Sequence, residues 1–288
     1  MSKRAAGKYG KAPAQPARPH LKLAGERLAA LPDPPAEVDH GRGEYPMYGN
    51  DRYGDCVFAG IGHQVGQITL TSSGSEAMFT DDDILGAYGA VTGFRKDDPS
   101  TDQGTYTQDA MSWWRKTGLK GHAIVLYASL ELSNVKVIKQ AIDVLGAVGI
   151  GFQVPAYAED QFAAGEPWEV QRGNGQILGG HFVAATGYTA THLKVKTWGA
   201  EQLMSWKFFA KYADEAWVVL DDEMVGQAGS FLPGVDLYGL GEDFSALTGQ
   251  SNPFPEPQPG PTPDPTPAGP SAAQVALAVR NALTGLGV

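Results

Sequence analysis

The chain has 288 residues, 42% hydrophobic and 10% aromatic, which suffices for one sizeable core and is too apolar for a disordered protein. Its formal charge of −10 argues against a general electrostatic grip on nucleic acid or anionic lipid. The single cysteine, Cys56, excludes internal disulfides and multi-cysteine metal centres, and no cofactor or metal is expected.

Residues 1–44 are rich in Pro, Ala and charge, with basic residues crowded at the start. They read as an extended arm with room for one short helix over Leu21 to Leu31. The charges lack an apolar stretch behind them, so no signal peptide is expected. No window approaches the ~18 apolar residues of a membrane span. The expectation is a soluble protein of the cytoplasm or of an assembly made there, such as a virion.

A main domain is expected over 45–241. Cys56 to Ile68 is apolar and contains glycines, and reads as a buried helix. Thr80-Asp81-Asp82-Asp83 resembles a capping box opening a helix through Ala90. A helix over Tyr106 to Thr117 stops at Gly118, and Trp113 and Trp114 on it read as core and groove wall. A strand over His122 to Ala128 leads to a helix over Asn134 to Leu145, with Val137, Ile138, Ile142 and Val144 inward. Ala147 to Val154 reads as a strand, 181–188 and 192–198 as a hairpin, and Ala216 to Leu220 as a last strand. Helices first and antiparallel strands afterwards predict an α+β fold, a helical half packed on a sheet half.

Residues 242–270 read as a Pro-rich linker, with nine prolines in 251–270, favouring polyproline II. Residues 271–288 then form an amphipathic helix, marginal alone and in need of a partner surface. Arm and terminal helix both predict a protein partner.

The stretch from Tyr48 to His63 carries the densest chemistry. A cysteine at a helix N-terminus sits in the positive end of the helix dipole, which favours thiolate. Asn50, six residues earlier, can bring its amide beside the Cys56 N–H, giving two donors for an oxyanion. Asp55 is a plausible N-cap, though its charge opposes a thiolate. A solitary cysteine in an apolar segment is also, commonly, an inert small hydrophobe. Gly179-Gly180-His181-Phe182-Val183 puts a histidine at the head of a strand behind a flexible entry. His63 lies two turns along the helix of Cys56, too far to bond its sulfur. The acidic stretches (Asp81 to Asp83, Asp97, Asp98 and Asp102) lack the alternating pattern of a Ca²⁺ loop and read as solvated.

Asp-Cys opening a helix, His-Phe-Val opening a strand, and Lys196-Thr197-Trp198-Gly199 ending the next strand together resemble the papain-like cysteine peptidase superfamily. They are also similar to the bacterial peptidases that trim double-glycine leaders. The resemblance covers about 45–220 and resembles chains of bacteria and tailed bacteriophages. It implies a papain-like fold with Cys56 as nucleophile, His181 as base and Asn50 in the place of the family's Gln. Trp198 would shield the histidine, and Gly180 and Trp198 would flank a peptide or amide substrate.

The family's imidazole-orienting Asn falls on Lys196 or, by distance from the histidine, on Thr197, which can hydrogen-bond but brings no charge. Asp214 and Glu215, just before the next strand, are candidates to stand in for it. Two functions follow: a cysteine hydrolase working through a Cys-His dyad, or an idle scaffold serving as a binding subunit of a larger assembly such as a phage virion. An acyltransferase sharing the dyad is a third. Cys56 and His181 in contact would favour the hydrolase, and a ring plugged by the arm the scaffold.

Overall fold

The computed structural model describes residues 4–173, 175–221 and 234–254. The described residues form one compact unit, arm included. The expected C-terminal helix and most of the Pro-rich stretch lie outside the described residues.

Helix α1 (Cys56–Ser73) is buried from Cys56 through Thr69. It has no polar face to betray its period, and its glycines serve packing. A Cβ at Gly60 would lie 2.5 Å from the Phe182 ring, and one at Gly62 2.9 Å from the Tyr48 ring. Two neighbouring elements therefore press rings directly onto helix backbone. Asp55 occupies the N-cap position but makes no side-chain capping bond, which corrects its expected role.

Helix α2 (Asp81–Thr92) opens on a true capping box: Thr80 Oγ1 accepts from the Asp83 N–H while the Asp83 carboxylate accepts from Thr80 N–H. Helix α3 (Thr107–Thr117) ends at Gly118, whose φ is 79°. Helix α4 (Val135–Leu145) is capped by Asn134 and buries Val137, Ile138 and Ile142, with Val144 only partly covered.

The strands are β1 (Val38–Asp39), β2 (Ile124–Ser129), β3 (Val148–Pro155), β4 (Ile177–Tyr188), β5 (His192–Thr197), β6 (Ala200–Ser205) and β7 (Ala213–Asp221). They form one antiparallel sheet in the order β2-β7-β3-β4-β5-β6, with β1 also on β4. This is the expected α+β arrangement. Not foreseen were β1, α5 (Tyr157–Ala164), β6, α6 (Trp206–Tyr212) and α7 (Leu237–Thr248), the last of which runs across the boundary expected at residue 241.

The arm departs from expectation over Leu21 to Leu31. Only one 3-10 turn forms, at Gly25–Leu28. Residues 21–23 instead pair with the edge of β2, Leu23 N–H donating to Ser129 O and Ser129 N–H to Leu21 O, both at 2.9 Å. Extended backbone buries Leu21 and Leu23 on one side, where a helix would turn one of them away.

Candidate functional site

The head of α1 meets the middle of β4. Cys56, His181, Asn50, Thr197 and Trp198 all line one cavity of about 10 Å³, no more room than a single water needs. His63 and Lys196 also reach its wall.

His181 sits opposite Phe152 in the β3–β4 register, and the two rings meet edge to face at 5.7 Å. Successive strand side chains point to opposite sides, so Phe182 turns the other way, into the slot left by Gly60 and Gly149. That packing anchors the strand on α1 and fixes where the imidazole emerges. His181 Nε2 lies 2.7 Å from Thr197 Oγ1, while Nδ1 is buried with no hydrogen-bond partner. Thr197, not Lys196, therefore holds the ring: Lys196 Nζ turns away to Arg42 O at 2.8 Å and to Glu76.

Trp198 stacks on His181 with centroids 4.4 Å apart and planes 25° from parallel. It reaches there through an unusual turn. Thr197 pairs with Ala200, so Trp198-Gly199 is a two-residue hairpin loop, with φ of 43° and 71°. Such loops favour Asn-Gly, because both positions need positive φ. A tryptophan in that conformation is strained, and its stacking on the imidazole offsets the cost.

The arm crosses this site. Lys8 N–H donates to Asn50 O at 2.7 Å, and Asn50 Nδ2 returns a bond to Lys8 O at 3.1 Å. Lys11 N–H donates to Gly180 O at 3.0 Å, Thr105 N–H to Gly10 O at 2.7 Å, and Ala12 N–H to Thr105 O at 2.9 Å. Between these anchors the Gly10 N–H faces the Cys56 sulfur. Gly10 lies flat against Gly54 and Gly104, and a Cβ on it would collide with the Gly54 carbonyl. Tyr9 edges both His181 and Trp198, at 6.4 and 6.0 Å, and donates its hydroxyl to Glu159.

Covered in this way, Cys56 is 1% exposed. Burial pushes its thiol up to about 12, against backbone N–H groups of Gly10 and Phe182 that favour thiolate, and the Asp55 charge adds to the rise. Burial likewise pushes His181 down to about 3 and His63 to about 4. Thiol and neutral imidazole, not an ion pair, are the forms this closed state favours. Asn50 Nδ2 also donates to Tyr53 O and to Asp55 Oδ1, so the amide is fixed by the loop it caps.

Asp214 and Glu215 do not reach His181, which corrects their candidacy as its orienting partner. Both carboxylates face Lys11 instead. Asp102, read as solvated, accepts from the Gly54 N–H and the Tyr88 hydroxyl, steadying the backbone just before the cysteine. Trp114 is buried, with Nε1 donating to His122 O, and Trp113 packs on Phe58. Among the described residues no group of three or more His, Cys, Asp or Glu side chains is placed to hold a metal, and no helix is long and apolar enough to cross a membrane.

The sequence matches no protein-family profile, and no curated protein is similar to it. Solved structures do resemble it. Xylellain, a cysteine protease from Xylella fastidiosa, is 14% identical with a TM-score of 0.58, over 76% of this chain and 98% of that one. Procathepsin L2 from Tenebrio molitor larval midgut is 12% identical with a TM-score of 0.54, over 76% and 84%. The ragweed pollen cysteine protease Amb a 11, in its proform, is 14% identical with a TM-score of 0.51, over 71% and 72%. The chain carries the papain-like cysteine-peptidase fold.

Proposed function

We propose that this chain is a papain-like cysteine hydrolase of peptide or amide bonds, closed by its own arm. Cys56 attacks the carbonyl carbon as its proton passes to His181 Nδ1. Asn50 Nδ2 and the Cys56 N–H hold the oxyanion. The imidazolium returns the proton to the leaving amine as the C–N bond breaks. Water, deprotonated by His181, then cleaves the thioester and frees the thiol. Thr197 holds the ring at Nε2, and Trp198 keeps water from its face.

One observation carries the reading: an extended peptide, the arm itself, lies across Cys56 with a carbonyl already on the Asn50 amide. The site thus has the shape and donors to hold a peptide backbone beside a nucleophile. Two structural neighbours are proforms by name, which accords with a closed state of this kind.

The same arm is what favours the second reading, an idle scaffold acting as a subunit of a larger assembly such as a virion. Alkylation of the single cysteine by iodoacetamide, read by intact mass, separates the two. Gly10→Val drives a side chain into the Gly54 backbone and displaces the arm. The hydrolase reading expects Cys56 in that variant to react near pH 6 and to lose this reactivity with His181→Ala added. A profile centred near an ordinary thiol, about 8.5, whether or not His181 is present, would leave the scaffold.

A further inference from the structure

The arm enters the cleft with a lysine, and the cleft is built around that lysine. Lys11 has a wholly buried side chain. Its Nζ lies 3.1 and 3.2 Å from the two Asp214 oxygens, 3.6 Å from Glu215 Oε1 and 3.0 Å from its own neighbour's carbonyl, Ala12 O. Ala12 O and Asp214 Oδ2 accept hydrogen bonds from the ammonium group, and Glu215 adds a second negative charge beside it.

Consecutive residues of a strand ordinarily face opposite sides. Here β7 slips against β3: Gly151 pairs with Glu215 and Phe152 with Ala213, leaving Asp214 as the extra residue of a bulge. The bulge brings two adjacent carboxylates to bear on one cation. Both are held in place independently of the arm. Gln153 Nε2 donates to Asp214 Oδ2 at 2.6 Å, and the Thr107 hydroxyl donates to Glu215. The lysine stem has its own slot, since a Cβ at Gly151 would collide with Lys11 Cε and lie 2.5 Å from Glu215 Cγ. Burial raises the Glu215 carboxyl and the Lys11 charge opposes that rise. With the arm gone, two carboxylates share a half-closed pocket with no cation.

We propose that Asp214 and Glu215 form a lysine-recognition pocket of the cleft. It selects peptides that carry a lysine one residue from the position facing Cys56. As a statement about substrates this rests on the hydrolase reading above, but the pocket binds lysine whether or not Cys56 reacts.

The test uses the full chain carrying Gly10→Val, Lys11→Ala and Cys56→Ser, which frees the cleft and stops chemistry. Dye-labelled Tyr-Gly-Lys-Ala amide is compared with its Ala and Glu counterparts at the lysine position by fluorescence anisotropy. The lysine peptide is expected to bind about tenfold or more tightly than the alanine one, as a buried charged hydrogen bond implies. Adding Asp214→Asn and Glu215→Gln should erase that preference. Equal binding of the three peptides, no binding, or a preference that survives loss of both carboxylates overturns the pocket.

Should the triple variant fail to fold, Lys11→Ala alone serves. Millimolar n-propylammonium, which restores the missing stem and charge, should slow iodoacetamide labelling of Cys56, and n-propanol should not. Equal effects of the two would overturn the proposal. The same peptides with Cys56 restored separate the two readings. Lysine-selective binding without cleavage sinks the hydrolase alone, and cleavage without lysine preference sinks the pocket alone.

Discussion

Helix α1 and arm residues 7–12 pack at the same cleft, yet different forces hold them. The helix is locked by shape: Phe182 fills a slot between Gly60 and Gly149, and Tyr48 lies over Gly62. The arm contributes little apolar area there. Its hold is a ladder of backbone hydrogen bonds, the Tyr9 contacts and one lysine between two carboxylates. Interactions of the first kind resist everything short of unfolding. Those of the second can be exchanged for another peptide's, because hydrogen bonds and ion pairs give little net stability relative to solvated partners. Under the proposed reading, a helix fixed by packing and a cover that can leave are what a closed hydrolase requires.

The largest effect expected from this contrast lies on the helix side. Phe182→Ala empties a slot walled by helix and strand backbone, which cannot collapse to fill it. A loss of about 3–5 kcal/mol in unfolding free energy is expected by urea titration. Gly10→Val, on the arm side, should leave the urea midpoint nearly unchanged while Cys56 labelling rises. Comparable losses from the two would erase the distinction, since the arm would then be part of the core.

The same contrast explains what was legible in the sequence. The start of α1, the capping box at Thr80, the Gly118 stop and the β4–β5 hairpin follow from local chemistry, and each was recognisable within a few residues. The Cys56, His181 and Thr197 neighbourhood was recognisable too, through the resemblance of its short motifs, although His181 stands inside β4, four residues past the strand head expected for it.

Strand β6 was missed because Ala200 to Ser205 is polar and short, and because Trp198 occupies a turn position that usually takes Asn. The path of the arm was illegible for a deeper reason. An extended arm was expected, and Pro13 biases Ala12 that way, but nothing local in Gly7 to Lys11 says where the arm lies. Its course is set by Gly54, Gly104 and Gly180, all distant in sequence. A pair of glycines flanking Tyr9 was the only hint, and a weak one. Asp214 and Glu215 were noticed for their charge but assigned to the wrong partner, since a bulge decides which way they face.

An intermediate effect comes from pH. Burial holds His181 near 3 and His63 near 4, both below the ordinary 6.5. Unfolding exposes both rings, so between those values the unfolded chain binds protons the folded chain refuses. Their contribution to stability is complete above about 6.5 and falls on acidification, by about 1.4 kcal/mol per pH unit for each ring. Cys56 acts at the other end. With its thiol pushed from 9.0 to about 12, stability should decline as pH rises past 9. His181→Gln should reduce the acid slope measured by urea midpoints. Gly10→Val, by letting water reach the ring, should remove the His181 share and keep that of His63. An unchanged acid limb in both variants would mean that the arm does not dehydrate His181.

The smallest effect tests the hydroxyl that holds the ring. Thr197 Oγ1 can donate to or accept from His181 Nε2, so this bond fixes the orientation of the imidazole but not its tautomer. An acceptor-only group would fix both. Thr197→Val keeps the shape and leaves Nε2 unpaired in a buried setting, at a cost of about 1–3 kcal/mol. Thr197→Ser should recover most of that. In the Gly10→Val background, Thr197→Val should also weaken the His181-dependent labelling of Cys56, and Thr197→Ser should restore it. If Val and Ser behave alike in both measurements, the hydroxyl is incidental, and the stacking of Trp198 alone holds the histidine in place.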